Sequence, residues 1–448
     1  MSELYITLTG WQTIKEIGGE ERHTVINTLT LPNPKYKNAI KYGGRWATPP
    51  KHLLFYNEKD KRLQIPLNYK IEGNFRDSRI TADIDIPVLS ISLRDYQNKA
   101  VDYLYNKKGG LLQAKCGAGK TVMALALAHK LQQRTLILVH TNELLHQWKK
   151  NIKELFGVNS GQINGEAPHT IGKYFTIANT ASLIRRKGER SDKAESTLRR
   201  VSETHGLLIC DECHHAPCES MFDVVSSIPA KYRYGLSATP TRADGLTPVL
   251  GWLFGDSYAI PNQDIAKFSI VPTIYRINTD FSYNSGEYTA HLTEQANDPT
   301  RNSFLADFIH DNIGNDKGIV MCERVEQIKQ LTNQLQKKGI GVDLYIADTK
   351  VDERKRIVQR LQKGEIQLIL GTSVMFSEGF DCPSISKLFL VSMFKDKSRT
   401  EQTVGRIMRI HEGKDSAEVY DFVDEDGRAK RAWYERLKVY KAKNWKIG

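Results

Sequence analysis

The chain has 448 residues, which is more than one hydrophobic core usually holds and predicts two or three domains. Hydrophobic residues make up 40% and charged residues 26%, as in ordinary globular proteins, and no apolar run reaches the roughly 18 residues of a membrane-spanning helix. Lys and Arg number 64 against 52 Asp and Glu, and the net charge of +12 favours a polyanionic partner, although a cationic surface that serves only solubility gives the same number.

Residues 1–86 are predicted to form a small β-rich domain. Short alternating apolar runs at 5–8, 24–31, 53–56 and 63–67 are separated by Pro and Gly clusters, as in strands joined by turns. The segment 35–46 interleaves cations with aromatic residues and ends on Arg45 and Trp46. Cations hold phosphates and rings stack on bases, so this segment is a candidate nucleic-acid contact, although a solvated loop with core aromatics has the same composition.

Beyond about residue 93, apolar strand-like runs alternate with helical patterns, which is typical of parallel sheets covered by helices. The predicted fold class is therefore α/β. We expect a first parallel-sheet domain at 87–255, a linker at 256–271 and a second parallel-sheet domain at 272–448.

The strands and helices of these two domains are predicted from short apolar runs and from helical periodicity. The strand runs are 135–139, 207–210 and 234–236 in the first domain and 319–322, 368–370 and 388–391 in the second. A helical pattern covers 325–338. The charged run at 185–200 is interpreted as a solvated insertion.

The segment AKCGAGKT, residues 114–121, has the composition of a phosphate-binding loop. It follows an apolar strand run and opens a helical pattern, which is the context that a P-loop requires. Glycines let successive N–H groups face a phosphate, a lysine reaches the outer phosphate oxygens, and a hydroxyl binds Mg²⁺. The residues that would supply these parts are Ala114, Gly117, Ala118, Gly119, Lys120 and Thr121. Ala114 stands where the strict pattern has a glycine.

A second segment, LLICDECHH at 207–215, ends an apolar strand run with two acidic residues. Parallel sheets bind ligands at the carboxyl ends of their strands, so we expect Asp211 to hold Mg²⁺ through water and Glu212 to position or deprotonate the attacking water. An exposed acidic pair that caps a helix is one alternative. A zinc cluster is another, since Cys and His crowd 210–218, although zinc usually needs a second, distant ligand pair that we do not find.

Together, AKCGAGKT and DECH resemble the motifs of superfamily 2 helicases, and further segments resemble the remaining motifs of that family in order across 93–409. The resemblance implies two RecA-like domains that use ATP and Mg²⁺. The segment LRDYQ implies that Gln97 contacts the adenine base. The segment LSATPTRADG implies that Ser237 and Thr239 couple hydrolysis to movement, together with His214.

The same resemblance implies residues that meet nucleic acid. They are Thr141 in the segment VHTNELLHQW, Thr180 in TIANTASL and Thr372 in GTSVMFSEGFDCP. The last segment resembles motif V, which implies that Gly379 and Asp381 face the nucleotide. The loop at 395–400, KDKSRT, is a further candidate contact with DNA.

The segment EQTVGRIMR, 401–409, resembles motif VI and supplies Gln402, Arg406 and Arg409. A guanidinium can stabilise the charge that spreads over the γ-phosphate in the transition state. The two arginines are three residues apart and would share one face if the segment is helical. Hydrolysis would then depend on closure of a cleft between the domains. In any isolated RxxR, exposed helix arginines are the more usual interpretation, but here the preceding Gln402 and Gly405 favour the catalytic one.

Within the superfamily, the DECH spelling and compact length resemble the DNA translocases related to XPB and RecG, and the small N-terminal domain best resembles the phage UvsW-type branch-migration helicases. This implies ATP-dependent unwinding or branch migration of forked and Holliday-type DNA in recombination, replication and repair. Two alternatives stay open. One is a duplex-DNA translocase or RNA helicase without junction preference, and the other is a nucleotide-gated clamp that does not step along DNA.

The sequence also indicates a cellular setting. Six cysteines form no spaced disulfide framework, and the N-terminus lacks the basic and apolar pattern of a signal peptide. A cytoplasmic protein is expected, in the host cytoplasm if the chain is phage-encoded. We expect a monomer that does not contact membranes.

Overall fold

A computed structural model describes residues 5–42, 49–59, 62–115, 117–165, 169–184, 189–242, 244–283, 286–377, 380, 382–394 and 396–448. Contacts between residues divide the chain into unit 1, Met1–Pro261, and unit 2, Asn262–Gly448.

The N-terminal part of unit 1 is built on a mixed sheet with two short helices. In chain order its elements are β1 (Tyr5–Leu8), β2 (Trp11–Ile14), α1 (Gly19–Thr28), β3 (Thr30–Pro32), α2 (Pro34–Tyr42), β4 (His52–Leu54), β5 (Asn57–Lys59), β6 (Arg62–Pro66) and β7 (Asn74–Asp77). Among the described residues, one sheet has the order β5-β6-β2-β1-β7, and β3 pairs separately with β4. This confirms the β-rich character of the region.

One expectation for this region was wrong. The run at 24–31 is not a strand, because α1 occupies Gly19–Thr28 and only β3 follows it. Val25 and Leu29, four residues apart, are both buried, which is the spacing of one helical face. The cationic and aromatic segment 35–46 begins within helix α2, so the alternative of a solvated loop does not describe its first part. Arg45 and Trp46 lie outside the described residues.

The N-terminal sheet packs directly against the rest of unit 1. The turn between β1 and β2 comes so close to helix residue Ser226 that a Cβ at Gly10 would lie 2.1 Å from its carbonyl oxygen. The buried guanidinium of Arg233 donates to the carbonyls of Gly10, Val225 and Ile228 at 3.4, 2.5 and 2.5 Å. These contacts explain why the N-terminal sheet and the following domain form one unit.

The remainder of unit 1 is a parallel sheet covered by helices. Its elements are α3 (Asp95–Lys107), β8 (Gly109–Gln113), α4 (Lys120–Leu131), β9 (Thr135–Val139), α5 (Asn142–Phe156), β10 (Gly161–Ile163), β11 (Phe175–Asn179), α6 (Glu189–Thr204), β12 (Leu207–Cys210), α7 (Glu219–Ser227), β13 (Tyr232–Ser237), α8 (Thr247–Phe254) and β14 (Ser257–Ala259). Within the part of the chain that the structure describes, seven parallel strands follow the order β10-β11-β9-β12-β13-β8-β14. Every residue of β9 and β12 is buried, as expected for central strands with both faces covered.

Much of the charged run at 185–200 is not a solvated insertion. From residue 189 it belongs to α6, whose apolar side chains at Ala194, Leu198 and Val201 are buried. Residues 185–188 lie outside the described residues. From residue 194 the run therefore contributes an amphipathic helical segment to the fold, in which Glu195, Arg199 and Arg200 are exposed.

His205, directly after α6, is completely buried. Its Nδ1 lies 3.0 Å from the carbonyl oxygen of Val201, and its Nε2 lies 2.9 Å from Oγ1 of Thr176. Burial lowers the pKa of His205 from 6.5 to about 4, against the opposing effect of the Val201 carbonyl. The folded protein therefore holds this imidazole neutral over a pH range in which the unfolded chain protonates it.

We expect unit 1 to lose stability as the pH falls below 6.5. The contribution of a neutral His205 is complete above pH 6.5 and is lost progressively toward pH 4, up to about 3 kcal/mol. The measurement is the free energy of unfolding by urea at pH 7 and pH 5 for the wild type and His205→Gln, with the exposed His52→Gln as control. The His205 variant should show the smaller difference, and equal differences would assign the acid sensitivity to another group.

Unit 2 is a second parallel sheet with helices. Its elements are α9 (Asn262–Ala266), β15 (Thr273–Asn278), α10 (Tyr288–Asn297), α11 (Pro299–Ile313), β16 (Gly318–Cys322), α12 (Val325–Lys337), β17 (Val342–Tyr345), α13 (Val351–Lys363), β18 (Leu368–Thr372), α14 (Ser373–Ser377), β19 (Lys387–Leu390), α15 (Lys397–Ile407), β20 (Glu418–Val423), α16 (Gly427–Ala442) and β21 (Lys446–Ile447). Its parallel strands follow the order β17-β18-β16-β19-β20-β15-β21 in the described ranges. The two RecA-like sheets confirm the predicted α/β fold class.

Candidate functional site

The phosphate loop, residues 114–121, joins β8 to α4. Gly117 and Gly119 have φ angles of 83° and 81°, in the left-handed region that glycine adopts without a steric penalty. Helix α4 begins directly after Gly119, so the N–H groups of its first turn have no acceptor within the helix. Such N–H groups at a helix N-terminus attract anions, and the loop is therefore a candidate phosphate site.

Lys120 and Thr121 open α4 and complete this loop. Nζ of Lys120 donates to the carbonyl of Ala114 at 3.1 Å, so the ammonium reaches back across the loop. Ala114 is 2% exposed, and its N–H donates to the carbonyl of Ser237 on the neighbouring strand at 3.1 Å. Alanine in place of the first glycine is thus accommodated at the end of β8.

Two side chains at the start of α3 contact the same loop. Oη of Tyr96 and Nε2 of Gln97 both donate to the carbonyl of Ala118, each at 3.1 Å. Oε1 of Gln97 accepts from the N–H of Arg94 at 3.0 Å. Gln97 therefore lies beside the phosphate loop, and its contact with an adenine base stays a prediction. Tyr96 was missed, since a tyrosine in a helix usually belongs to the core.

Asp211 follows β12 and is 7% exposed. Its Oδ2 accepts from Nε1 of Trp148 at 2.8 Å, and its Oδ1 accepts from the N–H of Glu212 at 3.0 Å. Burial and the neighbouring charge of Glu212 raise the pKa of Asp211, while Trp148 and Lys120 oppose this shift. The carboxyl group is thus fixed in orientation by two donors.

Glu212 has an unusual backbone and a strongly positive environment. Its φ and ψ of 43° and 50° lie in the left-handed region, which is uncommon for residues other than glycine. Its Oε2 lies 3.3 Å from Nδ1 of His214. Burial disfavours the charged carboxylate, but Lys120, His214 and His140 outweigh burial and lower the pKa of Glu212 to about 2. Glu212 is therefore ionised at neutral pH.

His214 connects this carboxylate to the end of β13. Its Nδ1 also lies 3.2 Å from Oγ of Ser237, and that Oγ accepts from the N–H of Thr239 at 3.2 Å. Arg242 donates to the carbonyl of His214. Glu212, His214, Ser237 and the segment 239–242 form one continuous series of polar contacts.

The structure brings the first two predicted nucleic-acid segments together. Thr141 caps α5 by accepting from the N–H of Leu144 at 3.2 Å. Thr180 is 6% exposed and begins a short 3-10 turn after β11. Nδ2 of Asn179 donates to Oδ1 of Asn142 at 2.9 Å, so the residues next to the two threonines are in contact. The role of either threonine toward nucleic acid stays a prediction.

In unit 2, Thr372 ends β18 and the predicted DNA-facing loop beside it is largely helical. Lys397 and Arg399 belong to α15, while Lys395 lies outside the described residues. Nη1 of Arg399 donates to Oγ of Ser373 at 2.8 Å and lies 3.9 Å from Glu323. The Arg399 guanidinium is therefore engaged within its own unit.

The expectation of a shared helical face for Arg406 and Arg409 was wrong. Helix α15 ends at Ile407, so Gln402 and Arg406 lie one turn apart on it while Arg409 lies beyond its end. The main chain of Arg409 instead forms an isolated antiparallel bridge with Ser269. Arg406 donates from Nη1 to the carbonyl of Phe380. Gly379 and Asp381 lie outside the described residues.

The described residues contain neither a metal-binding cluster nor a membrane-spanning helix. Among them, no group of three or more His, Cys, Asp or Glu side chains could hold a metal ion, so nothing supports the zinc cluster considered from the sequence. No helix in the described ranges is long and apolar enough to cross a membrane.

Comparisons with known proteins connect both units to helicases. Residues 90–242 match the family described as "Type III restriction enzyme, res subunit", and residues 300–411 match "Helicase conserved C-terminal domain". The chain is 28% identical over 376 residues to "Probable helicase D10" of Escherichia phage T5, covering 83% of this chain and 80% of that protein. It is 26% identical over 424 residues to "DNA 3'-5' translocase XPB2" of Sulfurisphaera tokodaii, covering 83% and 91%.

A solved structure supports the fold. The Hef helicase domain of Pyrococcus furiosus aligns with 77% of this chain and 98% of its own, with a TM-score of 0.52 and 15% identity. At that identity the likeness concerns the fold alone.

Proposed function

The chain is an ATP-driven superfamily 2 helicase, and we propose that it unwinds or branch-migrates forked and Holliday-type DNA. The observation that carries the catalytic part is the phosphate loop at the end of β8 together with Asp211 and Glu212 at the end of β12. Both lie at the carboxyl edge of one parallel sheet, where ligands bind in this type of fold.

In the proposed centre, the N–H groups of the phosphate loop and Nζ of Lys120 bind the β- and γ-phosphates of ATP. The hydroxyl of Thr121 and the carboxylate of Asp211 are hard oxygen donors, which suit Mg²⁺. When bound, Mg²⁺ would neutralise charge on the phosphates. Glu212, held ionised, orients the attacking water, and Gln97 contacts the adenine base.

The remaining predicted residues couple ATP hydrolysis to movement, take part in hydrolysis, or contact DNA. Movement at Glu212 passes through His214 to Ser237 and Thr239, because Oε2 of Glu212 lies 3.3 Å from Nδ1 of His214 and the following groups are hydrogen-bonded. Arg406 and Arg409 stabilise the γ-phosphate transition state, and Gln402, Gly379 and Asp381 assist there. The residues proposed to contact DNA are Thr141, Thr180, Thr372, Arg45 and Trp46.

Replacing Trp148 with phenylalanine is expected to weaken the apparent affinity for Mg²⁺ in ATP hydrolysis by about 10- to 100-fold. Phenylalanine keeps most of the packing but removes the donor that orients Asp211. A magnesium titration of the ATPase rate measures the effect, and Trp252→Phe in the same unit is the control. An unchanged magnesium dependence would assign Trp148 to packing alone.

The preference for branched DNA rests on three supports. The net charge of +12 favours a polyanion. Relatives that match most of this chain are named as a phage helicase and a DNA translocase. An N-terminal sheet is attached to the ATP-binding unit, and its helix α2 brings lysines and tyrosines to that region. We propose that a monomer acts on such junctions.

The test compares four labelled substrates with equal strand lengths: a fork, a four-way junction, a linear duplex and an RNA duplex. Each is incubated with the purified protein and ATP, and with Lys120→Ala as the matched inactive variant. Strand separation of the fork and junction, with little product from either duplex, is expected. Lys120→Ala should retain DNA binding and lose both unwinding and hydrolysis.

Other outcomes would redirect the proposal. Equal unwinding of the RNA duplex would favour an RNA helicase, and ATPase stimulation by linear duplex without strand separation would favour a duplex translocase. ATP-dependent binding of DNA without displacement of any strand would favour a clamp. Retained ATP hydrolysis in Lys120→Ala would refute the assignment of the phosphate loop.

A further inference from the structure

Lys414 is a buried lysine that lies outside every motif described above. It follows a tight turn in which its N–H donates to the carbonyl of His411 at 3.1 Å and Gly413 has a φ of 74°. The turn folds the chain back on itself, and the lysine is only 9% exposed. A buried ammonium is costly unless it is well hydrogen-bonded, so packing alone would favour an apolar residue here.

The ammonium of Lys414 joins two segments of the proposed ATPase centre. Its Nζ donates to the carbonyl of Arg409 at 3.0 Å and to the carbonyl of Pro383 at 3.1 Å. Arg409 is the last residue of motif VI, and Pro383 is the last residue of motif V. Burial, with a smaller effect from the positive charge of Arg409, lowers the pKa of Lys414 to about 8, so the group is still mainly protonated at neutral pH.

Arg409 needs such support because the helix that carries Arg406 has already ended. The segment beyond Ile407 is held by the main-chain bridge between Arg409 and Ser269, by the hydrogen bond from the N–H of Ile270 to the carbonyl of Met408, and by Lys414. Among these three, only Lys414 also reaches the motif V segment. Arg406 also contacts the motif V segment, since its Nη1 donates to the carbonyl of Phe380.

We propose that Lys414 is a positioning residue that fixes the main chain of Arg409 against Pro383 and so presents the Arg409 guanidinium for catalysis. This inference rests on the proposed role of Arg409 in ATP hydrolysis. A guanidinium on a loosely held loop samples many positions, and a misplacement of about 1 Å can lower a rate by about 100-fold. Lys414 therefore acts on kcat through Arg409, without contacting the nucleotide.

A double-mutant cycle on the full chain tests this role. The variants are Lys414→Met, Arg409→Ala and the double variant, and DNA-stimulated ATP hydrolysis is measured for kcat and KM. Lys414→Met is expected to lower kcat by about 10- to 100-fold and to leave the KM for ATP within about threefold. The double variant should be no slower than Arg409→Ala, because Lys414 has nothing left to position. Lys414→Arg keeps a charged donor and should retain most of the activity.

The control is Lys387→Met, because Lys387 is a similarly buried lysine of unit 2, on β19, whose Nζ lies 3.1 Å from Asp316. It should change the melting temperature and not kcat. If Lys414→Met does not fold, Lys414→Gln takes its place in the same cycle.

Two failures are distinguishable. If Arg409→Ala leaves kcat unchanged, the proposed function of Arg409 is wrong. Suppose instead that Arg409→Ala strongly lowers kcat. The positioning role is then wrong if Lys414→Met keeps the full kcat. It is also wrong if Lys414→Met lowers the kcat of the Arg409→Ala variant by the same factor as it lowers that of the wild type.

Discussion

Replacing Glu212 with glutamine is expected to lower the kcat for ATP hydrolysis by about 10²- to 10⁴-fold while the KM for ATP changes little. Glutamine has nearly the same shape and can keep the left-handed backbone of position 212. It carries no charge and cannot accept a proton from water. The substitution should therefore slow the chemical step and leave nucleotide binding largely unchanged.

The electrostatics of the site make Glu212 a water-orienting group. Lys120 and His214 hold the pKa of Glu212 near 2 despite its burial, so the carboxylate is always ionised at neutral pH but is a weak base. A loose phosphoryl-transfer transition state needs little proton abstraction early on, and a fixed negative charge suffices to align the water. For this reason the ionisation of Glu212 should contribute no rise in the rate with pH through the range in which an ordinary glutamate ionises.

Single-turnover hydrolysis and equilibrium binding of ATP measure the two parts of this prediction separately. Glu203→Gln is the matched control, since Glu203 is an exposed residue of α6 that pairs with Arg199 at 2.9 Å. A Glu212→Gln variant that hydrolyses ATP at the wild-type rate would remove Glu212 from the reaction.

Parallel-sheet strands were the most predictable part of the fold. The runs TLILV and LLIC are apolar at every position, and they become β9 and β12, whose residues are all buried. The acidic residues after β12 and the glycines after β8 could be assigned to one sheet edge, because parallel strands place their carboxyl ends on the same side. Local pattern and topology together were sufficient for these features.

Helix boundaries were less predictable. The run at 24–31 alternates in part like a strand, yet it belongs largely to α1, and Val25 and Leu29 are both buried in the hydrophobic core of unit 1. Likewise, the spacing of Arg406 and Arg409 fits a helix, but α15 stops at Ile407, where the chain turns to pair with Ser269. Both outcomes depend on tertiary partners that a local pattern does not contain.

Residues that support the site from a distance gave no sequence signal. Trp148 lies on the apolar face of α5, so its sequence position predicts a core residue. Its contact with Asp211, 63 positions away, forms only in the folded unit. From the sequence, Lys414 is indistinguishable from an ordinary exposed lysine in a turn that contains glycine. Its burial and its two carbonyl acceptors depend on how Pro383 and the segment 409–414 meet in the folded unit.

Replacing Arg409 with alanine is expected to lower the kcat for ATP hydrolysis by about 10³-fold or more, the range for an arginine that neutralises charge on a transferred phosphoryl group. Arg409→Lys should restore little of the rate. A lysine is a compact point charge, whereas the planar guanidinium can donate to two phosphate oxygens at once. Nucleotide binding should persist, since the phosphate loop lies in unit 1.

Arg356→Ala is the matched control for this prediction. Arg356 lies on α13 of the same unit, and its side chain is 73% exposed. Both variants should melt like the wild type, which separates catalysis from folding. The decisive comparison is the ATPase rate with and without a DNA fork. An Arg409→Ala protein that DNA still stimulates to the wild-type rate would show that hydrolysis does not depend on unit 2 through this residue. The proposal that arginines of unit 2 promote hydrolysis would then have to rest on Arg406 alone.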